Sequence, residues 1–95
     1  MNNTICAGAR ICAKNRITRH VVADYVYQAI LEETGKQVGI LSAEKLTKGW
    51  ADERAGSNKF QVWRAEVADS GQVYSLHVTL TKNPQGSLIG ADIKS

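Results

Sequence analysis

At 95 residues, with 43% hydrophobic side chains and one proline, the chain has room for a single core and does not read as disordered or collagen-like. Its formal net charge is +3, from twelve Lys and Arg against nine Asp and Glu. That bias is weaker than a dedicated nucleic-acid binder usually carries, so charge alone names no partner.

The chain starts Met1-Asn2-Asn3-Thr4, without a charged leader and apolar run, and no segment approaches the roughly 20 apolar residues of a membrane span. The expectation is a soluble cytoplasmic protein with no signal peptide and no membrane contact. A domain of this size buries about two-thirds of its unfolded surface. Association into a homodimer is therefore expected as a way to bury more.

Residues 4–13 alternate weakly. Ile5, Ala7, Ala9, Ile11 and Ala13 share one phase around Gly8, which suggests an edge strand or an arm within residues 1–16. The two cysteines, Cys6 and Cys12, are in this stretch. If it is fully extended they lie about 20 Å apart, too far for a bridge. They are expected to be free thiols that pack as small apolar side chains.

From Ile17 the period changes to 3.6. Ile17, Val21, Val22, Tyr25, Val26, Ala29 and Ile30 form a stripe, with Arg19, Asp24, Gln28, Glu32 and Glu33 facing away. Asn15 or Thr18 can cap the start and Gly35 the end, so a helix is expected over about 18–34. Tyr27 and Leu31 widen its apolar side. A second, shorter helix is expected after Ser42 as N-cap, with Glu44 in its first turn and Ala43, Leu46 and Trp50 on one side.

Three strands complete the reading. Residues 59–68 alternate in two competing phases, Phe60 and Val62 against Trp63, Ala65 and Val67. Asp69-Ser70-Gly71 suits a three-residue hairpin loop. The stretch from Gln72 to Lys82 is the clearest strand in the chain, with Tyr74, Leu76, Val78 and Leu80 on one face. Asn83-Pro84-Gln85-Gly86 is a β-turn with proline at its second position. The last strand runs from Ser87 to Lys94, with Ile89, Ala91 and Ile93 apolar.

The two turns imply a register. Pairing Ala68 with Gln72 sets Phe60 opposite Leu80 and Val62 opposite Val78. Pairing Asn83 with Gly86 sets Leu80 opposite Ile89, Val78 opposite Ala91 and Leu76 opposite Ile93. Both hairpins then put apolar residues on one face of the middle strand. Arg64 and Glu66 fall awkwardly on that same face: either they lie beyond the helix cover near the hairpin tip, or a bulge after Val62 reverses the phase. The other face carries a row of Trp63, His77 and Asp92, with Gln61 and Thr79 beside it. Tryptophan area with an imidazole and a carboxylate makes this the candidate binding surface, and contact with Asp92 would raise the histidine's proton affinity. The competing reading is an ordinary set of cross-strand pairs, or a face covered by residues 4–13.

A second constellation is basic. Arg10, Lys14, Arg16, Arg19 and His20 precede the first acidic residue, Asp24. Cations at the entrance to a helix could hold phosphates, which makes Arg10, Lys14, Arg16 and Arg19 candidate nucleic-acid contacts. Their plainer role is a solvated surface. A small-molecule site lined by Tyr25, Trp50 and Tyr74 is a third expectation. The chain contains no phosphate-binding glycine loop, dinucleotide fingerprint, His-Glu-x-x-His or calcium loop, so no catalytic residue, cofactor or metal is assigned.

The expected architecture is α+β: two helices packed on one face of a three- or four-stranded antiparallel sheet, in the order β-α-α-β-β-β. The expected function is that of a small non-enzymatic binding or regulatory protein acting through a surface on a protein partner. The alternative is a nucleic-acid-associated accessory protein using residues 10–20.

Overall fold

The computed structural model describes the backbone of residues 6–7 and 11–12, and backbone and side chains of residues 16–52 and 56–95. Arg10 and Lys14 lie outside the described residues. The architecture is α+β, with one helix and a five-stranded antiparallel sheet. The expected second helix and the β-α-α-β-β-β order are not found.

Helix α1 spans Arg19–Thr34 and ends where the capping residues put its limits. Thr18 is extended, and its Oγ1 accepts a hydrogen bond from the Val21 N–H at 3.3 Å. Gly35 closes the other end, donating its backbone N–H to the Leu31 carbonyl at 2.8 Å. Val22 and Val26 are fully buried, and Ile17, Val21, Tyr25, Tyr27 and Ile30 pack beside them.

The expected second helix is not there: its start, Ser42–Lys45, and part of the expected connector before it form strand β3, Gly39–Lys45, which pairs antiparallel with β5, Lys59–Asp69. Ile40 lies opposite Val67, Ser42 opposite Glu66 and Ala43 opposite Ala65, so Leu41 is an extra residue in a bulge. The bulge puts Ile40 and Ala43, three apart, on one face of the sheet. The helical expectation rests on Ala43, Leu46 and Trp50, whose spacing of three and four spans the end of β3 and the residues after it.

A two-residue strand β4, Ala51–Asp52, pairs with Phe60 and Lys59 farther along the same edge of β5. Between them, Leu46 N–H donates to the Val62 carbonyl at 2.8 Å. The Val62 N–H donates in turn to Thr47 Oγ1 at 3.2 Å.

Strand β6 spans Gln72–Lys82, the bounds expected from its alternation. Its ladder with β5 runs unbroken from Asp69 opposite Gln72 to Lys59 opposite Lys82. The loop is therefore two residues, Ser70 and Gly71, with φ of 52° and 85°. Positive φ at both positions is the type I′ geometry, whose twist matches that of the flanking strands. The expected three-residue loop is one residue too long, and the correction moves every side chain of β5 to the other face. Trp63 now opposes Val78, and Ala65 opposes Leu76, on the buried side. Arg64 and Glu66 turn to solvent without a bulge.

Strand β7 spans Leu88–Lys94. The turn before it forms as expected, with Gly86 N–H donating to the Asn83 carbonyl at 2.9 Å and Ser87 N–H to Asn83 Oδ1 at 2.8 Å. The register differs from the expected one by two residues: Leu80 opposes Ala91 and Val78 opposes Ile93. An even shift keeps the faces. Near the turn, Thr81 opposes Gly90 and Lys82 opposes Leu88, so Ile89 is an extra residue. Leu88 is consequently fully buried and Ile89 about half exposed, the reverse of the expected assignment.

The strand order is β3-β5-β6-β7, with α1 lying over β3 and β5. The Tyr25 hydroxyl donates to the Ala91 carbonyl at 3.4 Å, tying the helix to β7. The described residues of the N-terminal segment pair with each other rather than with this sheet. Strands β1 (Cys6–Ala7) and β2 (Ile11–Cys12) form a separate antiparallel pair, with β1 beside β7 and β2 beside α1. Cys6 is the register partner of Cys12, so the 20 Å separation expected for an extended segment is corrected.

Candidate binding surfaces

The sheet has one covered and one open face, and the corrected register redistributes the expected site residues between them. Trp63 and Gln61 are on the covered face, 5% and 4% exposed. The Trp63 indole donates to Gln61 Oε1 at 2.7 Å, which satisfies a polar pair inside the core. These two are core residues, and the expected Trp63-His77-Asp92 row does not exist. A signal for this was present. Gln61, Trp63, Ala65 and Val67 include no charge, whereas the competing phase contains Arg64 and Glu66.

His77, Thr79 and Asp92 do share the open face, with different neighbours. One row crosses four strands as Glu44, Arg64, His77 and Lys94. The next holds Val62, Thr79 and Asp92. Arg64 Nη2 lies 2.7 Å from Glu44 Oε1, and Lys94 Nζ lies 3.9 Å from Asp92 Oδ2. Ser42 Oγ donates to Glu66 Oε1 at 3.3 Å. His77 therefore sits between two cations in register, and the carboxylate expected beside it pairs with Lys94. Pairs this exposed contribute little to stability. A shallow hollow of about 330 Å³ opens farther along this face, lined by Lys59, Phe60, Val62 and Thr79 among others.

Tyr25, Trp50 and Tyr74 do not gather into one pocket. Trp50 packs under Lys82, whose Nζ is 4.4 Å from the ring centroid. Tyr74 is near the other end of β6, opposite Val67 and 38% exposed. Eight strand positions separate Lys82 from Tyr74, roughly 27 Å.

A groove that the sequence did not suggest runs between the N-terminal half of α1 and β3. It encloses about 400 Å³ and is lined by Arg19, His20 and Ala23 from the helix and by Ile40, Leu41, Ser42 and Ala43 from the strand. Its construction follows from two local features. Thr18 starts the helix so that Arg19 and His20 occupy its first turn, which contains no acidic residue. The bulge in β3 pushes Leu41 outward, where it is 58% exposed. Arg16, just before the helix, is exposed as well. A helix capped at Ser42 leaves no strand to wall the groove, so the sequence pattern does not announce it. β3 is also a terminal strand of the sheet, with β5 as its one ladder partner among the described residues.

Among the described residues no three His, Cys, Asp or Glu side chains cluster as a metal site, and no helix is long and apolar enough to cross a membrane. No protein-family model, curated protein or solved structure matches the chain.

Proposed function

We propose that this protein is a non-enzymatic binding domain that takes an extended, acidic segment of another protein along the outer edge of β3. The observation that carries the reading is the groove itself, a strand edge facing a helix start that bears cations. A strand edge offers main-chain N–H and C=O groups to an added strand, and the flanking pockets select its side chains. Arg16 and Arg19 outnumber Asp24, the nearest carboxylate on the helix, and the positive end of the helix dipole reinforces them. Leu41 supplies apolar contact at the same place.

The test uses fluorescein-labelled peptides of alternating Val and Glu, with Val and Lys counterparts, titrated by anisotropy. Binding of the acidic peptide alone, weakened at least about tenfold by Arg19→Glu, is expected, corresponding to about 1.4 kcal/mol. Slower amide exchange in residues 39–45 of the complex would locate the peptide on β3. Equal binding by Arg19→Glu, or protection elsewhere, overturns the reading. Two other occupants are outcomes of the same work. A single-stranded oligonucleotide that binds with a steep salt dependence through Arg16 and Arg19 would replace the peptide with nucleic acid. A concentration-dependent dimer that protects residues 39–45 would replace it with a second copy of the chain.

A further inference from the structure

The N-terminal hairpin has a feature unrelated to the groove. Cys6 and Cys12, the only two cysteines of the chain, are register partners across β1 and β2. Directly opposed residues of an antiparallel pair have Cα atoms about 4.5–5.5 Å apart, within the roughly 4.4–6.8 Å spanned by disulfides. They also occupy the same face of the ribbon. The two strands rest against different parts of the domain, β1 beside β7 and β2 beside α1. A covalent link between them would join what packs on the last strand to what packs on the helix.

We propose that Cys6 and Cys12 form a reversible intramolecular disulfide, a redox-responsive staple across the hairpin. The oxidant is a low-molecular-weight disulfide such as oxidised glutathione. One cysteine thiolate attacks a sulfur of that disulfide, forming a mixed disulfide and expelling one small thiolate. The second cysteine thiolate attacks the protein sulfur of the mixed disulfide and expels the other small thiolate. Two protein thiols thus lose two electrons and two protons, and one small disulfide becomes two small thiols. The register makes the two residues direct neighbours across the ribbon, so the closing step is favoured in the folded chain.

The full-length chain is equilibrated in glutathione redox buffers, quenched with an alkylating agent under denaturing conditions, and weighed by mass spectrometry. The expected product is a monomer two hydrogens lighter than the reduced chain, carrying no alkyl group, whereas the reduced chain carries two. Cysteines six residues apart can also close in an unfolded chain, so the same equilibrium is measured in concentrated guanidinium. Folding is expected to raise the equilibrium constant for closure by roughly tenfold or more, about 30 mV for a two-electron couple. Cys6→Ser and Cys12→Ser should each stop at the mixed disulfide. Two alkylated thiols in the folded chain under oxidising buffer would overturn the proposal. Disulfide-linked dimers in place of the closed monomer, or a closure constant unchanged by denaturant, would overturn it equally.

Discussion

Along β5 the side chains of Gln61, Trp63, Ala65 and Val67 are buried, while Arg64 and Glu66, interleaved with them, stand in solvent. β6 repeats the division, with Leu76, Val78 and Leu80 inside and Ser75 and His77 outside. The two faces share one backbone and one set of ladder hydrogen bonds. What separates them is contact with α1 and the rest of the core on one side and water on the other. Because the alternation is strict, a single residue of register decides which face every side chain joins. A two-residue turn at Ser70-Gly71 therefore has the effect of a switch on the whole sheet.

Substitutions can break that contrast, beginning with the core. Trp63→Ala removes the largest covered side chain of β5 and leaves Gln61 without its indole donor. A loss of about 3–5 kcal/mol is expected, read as a lower urea midpoint and earlier thermal melting. That is a large share of the stability of a small domain. If Trp63→Ala costs less than about 1 kcal/mol, its position in the core is wrong.

Next in size is the turn. Gly71 sits at φ 85°, which a Cβ makes costly although nothing else lies within 4 Å of the added atom. Gly71→Ala should lose about 1–2 kcal/mol from backbone strain alone. An unchanged urea midpoint would argue for a loop of different length. The smallest effect belongs to the open face. Arg64→Ala breaks the 2.7 Å pair with Glu44, yet both side chains are about half exposed. A change of about 0–1 kcal/mol is expected, and it should shrink further in added salt.

How far the sequence carried the fold can be seen element by element. The start and end of α1 were legible because Thr18 and Gly35 act within one turn of themselves. The bounds of β6 were legible because its alternation is unbroken. The turn at Asn83–Gly86 was legible through Pro84. Local chemistry was insufficient at three places. Asp69-Ser70-Gly71 suits loops of either two or three residues, and the choice rests on packing far from the loop. The bulges at Leu41 and Ile89 carry no residue-level signature, since what the neighbouring strand can accommodate sets them. A helix is expected after Ser42 because Ala43, Leu46 and Trp50 have helical spacing, although they span the end of β3 and the break after it. Of the candidate site, His77, Thr79 and Asp92 reach the open face, Trp63 and Gln61 do not, and Arg19 acquires a strand wall that no periodicity announced.

The interruption between β3 and β4 also sets a limit on assembly. A strand laid along β3 can run beside Gly39–Lys45 only, because the chain then leaves its ladder before resuming at Ala51. That leaves seven residues of continuous ladder edge. The break denies a longer strand the track that fibril-like stacking requires, which makes this edge a poor template for it.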